Sequence, residues 1–302
     1  MILRRLIPIG WRLAICGLIL AMVFLLAYRW RVAGEPAYKG KRLGYWIDPA
    51  MIDGRESPQE VTAALSAMRD QAIPYLVNKL HWKPARMMKQ LYNRFPNFSP
   101  IYQYMHGGAD PRGYAAHALG QMGPMARKAV LELETLRDAP DDTPSSWYAR
   151  MCAKAALIKI KQESIVPYLE QLRDKTDLTA WYQNALLLGE FGTNADAAVP
   201  CLIEALGPTN HQVIQSHACS ALFRIHSRPE VCVPALTPLL KSPILAVRQN
   251  ALNALSSFRQ AAKPAWNDIV KCLEDPDPWM RQLASKTLRV IDPEAAKKIG
   301  IN

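Results

Sequence analysis

The chain has 302 residues, half of them hydrophobic, which excludes disorder by composition and suffices for a sizeable core. Its 15 glycines are few for a fold with many turns and favour helices. Five arginines in the first 31 residues, which hold no acid, contribute to the net charge of +11. The remaining +6 does not by itself indicate nucleic-acid binding.

The N-terminal segment 1–32 predicts insertion into a membrane. Residues 13–28 form an uncharged run of 16, and Arg29, Trp30 and Arg31 follow it as residues that suit a membrane interface. A cleaved signal peptide is the alternative, because a transmembrane helix needs about 20 residues. We expect a single-pass membrane protein. Three basic residues before the run and five after it favour a cytoplasmic remainder, whereas the signal-like start favours export, so the side stays undecided.

The strongest signal is an internal repeat. Six segments share the pattern A-x-x-A/T-L, or a near variant, and end in leucines that lie 31–38 residues apart: Leu119, Leu157, Leu188, Leu222, Leu255 and Leu288. Small residues at helical spacing predict a first helix that a neighbouring helix can approach closely. A second helix follows, marked in most units by a proline in its first turn, as at Pro167, Pro200 and Pro234. An earlier copy at 64–68, followed by Pro74, predicts another helix pair within 57–80.

Glycines and arginines stand at fixed distances from these leucines. Gly123 and Gly192 follow two of them by four residues, where a positive φ can end a helix. An arginine precedes four of them by seven residues, at Arg112, Arg150, Arg248 and Arg281. We interpret these arginines as an intramolecular ladder to the adjacent unit; the alternative is a row that binds an acidic partner. Trp181 and Gln215 interrupt the arginine pattern.

The units resemble short HEAT-like repeats, of the type also found in bacterial bilin-lyase-related proteins, over residues 57–291. Residues 38–46 (YKGKRLGYW) resemble the juxtamembrane stretch of a bacterial family of membrane-anchored HEAT-repeat proteins. We therefore expect an all-α fold, a right-handed α-solenoid of about seven HEAT-like helix pairs behind one transmembrane helix. The predicted domains are a membrane segment at 1–32, a linker at 33–56 and the solenoid at 57–302.

An insert near 81–109 separates the first unit from the second, and it combines aromatic with basic side chains without any acid. Its candidate interaction surface comprises Trp82, Lys83, Arg86, Lys89, Tyr92, Arg94, Tyr102 and Tyr104. Such a mixture suits a membrane headgroup layer, a peptide or a nucleic acid. The alternative is that these side chains cover the exposed end of the first unit.

No HExxH, G-x-S-x-G or phosphate-loop motif occurs in the sequence. His217 and Cys219 stand two residues apart on a predicted helix and point to different faces, so they make a poor metal or catalytic pair. We expect no catalytic residues, no cofactor and no metal. The favoured function is a membrane-tethered protein-binding scaffold or adaptor. A lyase-like or chaperone-like solenoid that holds a small molecule is the alternative, and nucleic-acid binding is the least favoured function.

Overall fold

The computed structural model describes residues 34–47, 58–83, 90, 93–94, 110–140 and 146–301. The chain divides between Asn78 and Lys79 into two compact units. The predicted membrane segment at 1–32 lies outside the described residues, as does most of the insert near 81–109.

The first unit begins with a short hairpin followed by a short helix. Strands β1 (Ala37–Tyr38) and β2 (Lys41–Arg42) pair antiparallel. Helix α1 (Leu43–Ile47) follows directly, and the Glu35 carboxylate accepts a hydrogen bond from the backbone N–H of Gly44 at 2.7 Å near its start. The stretch predicted as a linker at 33–56 therefore contains regular structure.

Helix α2 (Pro58–Leu80) contains both the 64–68 motif and Pro74 in one helix of 23 residues. The prediction of a helix pair within 57–80 is therefore wrong. A proline inside a helix removes one backbone hydrogen bond and crowds the preceding turn. The helix nevertheless continues because its buried side chains keep one stripe with spacings of three or four residues on both sides of the proline. This stripe consists of Leu65, Met68, Ala72, Leu76 and Leu80.

None of the helices within the described residues is long and apolar enough to cross a membrane. The longest of them, α2, has sufficient length but carries Glu60, Arg69, Asp70 and Lys79. Charged side chains spread along a helix in this way are incompatible with the hydrocarbon core of a bilayer. We therefore correct the predicted single-pass membrane localisation, since the part of the chain that the structure describes offers no span.

Six helix pairs follow in the second unit, within 110–140 and 146–301. The first helices are α3 (Pro111–Met122), α5 (Ser146–Lys161), α7 (Leu178–Gly189), α9 (Gln212–Ile225), α11 (Leu245–Ser257) and α13 (Pro278–Ile291). The second helices are α4 (Val130–Arg137), α6 (Val166–Gln171), α8 (Val199–Ala205), α10 (Pro229–Leu236), α12 (Trp266–Lys271) and α14 (Pro293–Lys298). Short 3-10 segments also occur at Gly123–Ala129, Gly192–Ala198, Thr237–Lys241, Arg259–Ala265 and Cys272–Glu274.

Each first helix packs against the first helix of the next unit. The alanine-rich motif permits this, as predicted: a Cβ added to Gly120 on α3 would lie only 3.0 Å from the Cα of Ala156 on α5. One continuous hydrophobic core extends from Leu172 to Ala296. The predicted all-α solenoid is confirmed, and its right-handed sense remains a prediction.

The turn after the repeat leucine uses a positive φ, as predicted. Gly123 and Gly192 have φ values of 55° and 56°. In two other units the equivalent position is His226 or Arg259, each with φ of 50°. Side chains at such angles are strained, so the glycines are the better residues for this turn.

Two of the three prolines cited as markers of second helices occupy the predicted place. Pro167 and Pro200 lie in the first turns of α6 and α8. Pro234 lies inside α10 instead, because that helix already begins at Pro229, whose fixed φ suits the first helical position. The predicted first-turn position of Pro234 is therefore wrong.

Candidate functional site

In most units, the side chain seven residues before the repeat leucine donates a hydrogen bond to a backbone carbonyl oxygen at the end of the preceding unit. Arg150 donates to the carbonyl oxygen of Ala139 at 3.2 Å. Arg248 and Arg281 likewise donate to backbone carbonyl oxygens, of Ser242 at 2.9 Å and of Asp275 at 2.8 Å. These carbonyl groups follow the second helix of the preceding unit, where the helix has no further backbone N–H groups to donate to them.

The two units without an arginine make the same kind of contact. The indole N–H of Trp181 donates to the carbonyl oxygen of Leu172 at 2.9 Å, and the amide of Gln215 donates to that of Gly207 at 2.8 Å. The acceptors again lie at the ends of second helices, α6 and α8. Any side chain with a suitably placed N–H can therefore serve at this position, and the interruption of the arginine pattern leaves the contact intact.

Arg112 makes a different contact at this position. Its guanidinium is buried against the Asp110 carboxylate, with Nη2 and Oδ2 2.7 Å apart, and it lies 5.6 Å from the ring centre of Trp82. Among the other residues of the predicted insert surface, Lys83 and Arg94 are described, whereas the remainder lie outside the described residues: Arg86, Lys89, Tyr92, Tyr102 and Tyr104. The interaction role of the insert stays a prediction.

Charge is segregated between the two kinds of helix. The first helices, which are fully described, hold no acid, and their cations are Arg112, Arg150, Lys154, Lys159, Lys161, Arg224, Arg248, Arg281, Lys286 and Arg289. The second helices hold the acids Glu132, Glu134, Glu170, Glu204, Glu230, Asp268 and Glu294, together with the four cations Arg137, Lys271, Lys297 and Lys298. Because first helices stack on first helices, their cations collect on one side of the array, which we name the first-helix face.

One buried carboxylate lies among these basic helices. The side chain of Glu190, just after α7, is 1% exposed and accepts hydrogen bonds from Nη1 of Arg224 at 2.5 Å and from Nδ1 of His117 at 2.6 Å. The Tyr148 hydroxyl accepts from Nη2 of Arg224 at 3.3 Å, and Lys159 donates to the backbone carbonyl of Glu190. The Glu190 cluster is defined here as His117, Tyr148, Cys152, Lys159, Glu190 and Arg224.

The Glu190 cluster joins helices that are not neighbours. His117 belongs to α3 and Glu190 follows α7, so their side chains meet over α5, which lies between them. The axes of packed helices are about 8–10 Å apart, so α3 and α7 are separated by two such spacings, with α5 between them. Side chains of α3 and α7 can meet over α5 only if the side chains of α5 are small at the crossing point. Cys152 and Ala155 on α5 are both small and buried. A contact between alternate helices also indicates that the row of first helices curves towards this side.

Electrostatics keeps the Glu190 carboxylate ionised. Burial alone raises its pKa, but the hydrogen bond from His117 and the charges of His117, Arg224 and Lys159 outweigh burial and hold the pKa below its ordinary 4.5. Burial raises the pKa of Tyr148 and of the Cys152 thiol, so both remain protonated near neutral pH. A protonated thiol is a poor nucleophile. The cluster can therefore bind and orient groups, and Arg224 with Lys159 gives it more positive than negative charge.

Three rings from successive first helices touch in a row beside the Glu190 cluster. Trp147 meets Tyr182 edge to face with ring centres 6.3 Å apart, and Tyr182 stacks on His217 at 4.7 Å. Trp147 also contacts Tyr148 of the cluster at 5.8 Å and is 38% exposed. Burial lowers the pKa of His217, so its ring is neutral near pH 7. We name Trp147, Tyr182 and His217 the aromatic row.

Neither the Glu190 cluster nor the aromatic row was predicted from the sequence. A signal for the cluster does exist: the second residue after the repeat leucine is Gln121, Lys159, Glu190 and Arg224 in successive units. Polar side chains whose charge alternates from unit to unit would not be expected at this repeat position if it faced only apolar neighbours. His217, which the sequence suggested only as a structural residue, is half-buried in the aromatic row, whereas Cys219 is fully buried in the core.

Two depressions open beside the second helices. One of about 630 Å³ is bordered by Ile203, Pro208, Pro238 and Ile244 among others. The other, of about 710 Å³, lies between α8 and α10. Both are lined mainly by aliphatic and proline side chains. Within the described ranges, no group of three or more His, Cys, Asp and Glu side chains is placed to hold a metal ion.

Residues 199–289 match the model of a family described as HEAT repeats. A comparison with curated proteins found no match. Two solved structures of engineered proteins, both Northeast Structural Genomics Consortium targets, are similar to the chain. One is 19% identical with a TM-score of 0.37, over 70% of this chain and 98% of the other. The second is 16% identical with a TM-score of 0.39, over 89% of this chain and 81% of the other.

The resemblance to the bilin-lyase-related type remains a prediction. Residues 199–289 are thus similar to HEAT repeats, and the helix pairs of the second unit stack as units of a repeat array do.

Proposed function

We propose that this protein is a non-catalytic scaffold that binds an acidic protein partner along its first-helix face. The observation that carries the proposal is the difference in charge: the first helices hold ten basic residues and no acid, whereas the second helices hold seven acids and four basic residues. Complementary charge steers association and rejects partners of the wrong sign. A solenoid also presents a longer continuous surface than a compact fold of the same length.

The chemistry of the first-helix face favours recognition over catalysis. Within the Glu190 cluster, burial keeps the Cys152 thiol protonated, and nearby cations already neutralise the buried Glu190 carboxylate. The partly exposed rings of the aromatic row are of the residue types enriched in protein interfaces. These features supply contact area and orientation, and neither Cys152 nor Glu190 is available as a nucleophile or a general base.

Site-specific photo-crosslinking in the native cell tests the proposal. A benzophenone amino acid is placed in the full chain at Gln183 or Asn253, both exposed on first helices, and in matched variants at Leu131 or Val166, which are 71% and 51% exposed on second helices. We expect crosslinks to a discrete acidic protein from the first two positions. Crosslinks only from Leu131 and Val166, or only to basic proteins, would show that the first-helix face is not the binding surface.

A further inference from the structure

The aromatic row spans three successive units and is open on one side. Trp147, Tyr182 and His217 come from α5, α7 and α9, so the row covers two helix-to-helix spacings. The ring centres are 6.3 Å and 4.7 Å apart, so the row is at most about 11 Å long, which corresponds to about three or four residues of extended chain. Trp147 is 38% exposed, and Tyr182 and His217 are each partly exposed. Flat, rigid rings of this kind contribute contact area at a low cost in conformational entropy.

The surroundings of the row have a definite sign of charge. Trp147 contacts Tyr148, and the guanidinium of Arg224 lies 5.7 Å from the centre of the same Tyr148 ring. Arg224 and Lys159 together outnumber the single carboxylate of Glu190. None of α5, α7 and α9 carries an acid that could satisfy this excess from within the array. A ligand that carries carboxylates would complement this excess of positive charge.

The dimensions and the charge favour a peptide over other ligands. A folded partner would need contacts beyond one row of three rings, whereas an extended segment of about three or four residues matches the row in length. Alternate side chains of an extended segment point to the same side, so rings at every second position can stack while the intervening carboxylates face the cations.

We propose that the aromatic row, together with Arg224, is the docking site for a short, extended, acidic segment of a partner protein that carries aromatic or proline rings. This inference rests on the proposed scaffold function and specifies the chemistry of its partner. The rings of the segment lie against Trp147, Tyr182 and His217, and its carboxylates lie beside the Glu190 cluster.

Fluorescence anisotropy with a labelled heptapeptide, Glu-Tyr-Glu-Pro-Glu-Tyr-Glu, tests this site on the full chain. We expect salt-sensitive binding that becomes at least tenfold weaker in Tyr182→Ala and in Trp147→Ala. Tyr182→Phe keeps the ring and should bind within about twofold of the unchanged protein. Phe223→Ala is the matched control, because Phe223 is 45% exposed on α9 but lies outside the row. The helical circular dichroism of each variant shows whether it is folded.

Three further probes distinguish the peptide from other ligands. A heptapeptide with lysine in place of glutamate, one with alanine in place of tyrosine and proline, and a thymidine heptanucleotide should each bind at least tenfold more weakly. Equal or tighter binding of any of them overturns the proposal, as does unchanged binding by folded Tyr182→Ala. If the peptide fails while Gln183 and Asn253 still crosslink to an acidic partner, the docking site is wrong and the scaffold function stands.

Discussion

Nδ1 of His117 and Oε2 of Glu190 lie 2.6 Å apart, although 73 positions separate the two residues and a whole helix pair lies between their units. Most contacts in a solenoid join adjacent units only, so that each unit can in principle open separately from units further away. This contact joins alternate units instead. Together with the bond from Arg224 to the same carboxylate and the bond from Lys159 to the backbone carbonyl of Glu190, it couples four consecutive units around one buried residue.

Replacing Glu190 should therefore destabilise the second unit strongly. Glu190→Ala removes the carboxylate that Nδ1 of His117 and Nη1 of Arg224 share, so we expect the free energy of unfolding to fall by about 3 kcal/mol. Urea denaturation followed by circular dichroism measures this. Glu134→Ala is the control: Glu134 pairs with Lys161 at 2.8 Å, but both side chains are about one-third exposed, so the expected loss is under about 1 kcal/mol. Equal losses in the two variants would contradict the buried role of Glu190.

The contribution of Glu190 should depend on pH. Its folded-state pKa lies below the ordinary 4.5, so its ionised form stabilises the folded protein above that pH, and this stability is lost as pH falls through the folded pKa. Glu190→Gln cannot titrate at this position. We expect the difference in unfolding free energy between the unchanged protein and Glu190→Gln to be largest near neutral pH and to shrink below pH 4.5. Urea titrations at several pH values would show a constant difference if the carboxylate were not the cause.

Arg248 should contribute to stability through two separable contacts. It donates to the carbonyl oxygen of Ser242 at 2.9 Å and forms an ion pair with Asp275 at 2.9 Å. Arg248→Ala loses both, and we expect the free energy of unfolding to fall by about 1–3 kcal/mol. Arg248→Gln should lose less, because Gln215 makes the carbonyl contact at the equivalent position of another unit. Denaturation midpoints that do not move in either variant would instead favour the view that Arg248 serves a partner.

Thr287 should be replaceable with a gain in stability. Its side chain is fully buried in α13, and its hydroxyl has no hydrogen-bond partner within the described residues. Five other units place Ala118, Ala156, Leu187, Ala221 or Ala254 here, all without a polar group. Thr287→Val keeps the shape and removes the unpaired hydroxyl, so we expect stabilisation by about 1 kcal/mol. Thr287→Ser keeps the hydroxyl and loses a methyl group, so it should destabilise the protein. Thermal denaturation of the variants measures both effects, and a serine variant that is more stable than the unchanged protein would refute this explanation.

Much of the fold could be predicted from residue spacing because it depends on contacts within one unit. The alanines before Leu119 or Leu255 specify a helix that a neighbour can approach closely, and Gly123 and Gly192 specify a turn that other residues enter only with strain. The segregation of charge can also be recognised once the helices are assigned. Local rules fail at α2, where the apolar stripe through Pro74 outweighs the preference of proline for a helix start.

The candidate site was decided only by tertiary structure. The side chain seven residues before the repeat leucine needs an N–H group that reaches a carbonyl oxygen in the preceding unit. Trp181 and Gln215 meet this requirement as arginine does, although the three residue types look unrelated in sequence. The meeting of His117 with Glu190 requires the curvature of the stacked helices and the small side chains of α5 at the crossing point. Curvature arises from the packing of all neighbouring units together, and no single unit encodes it.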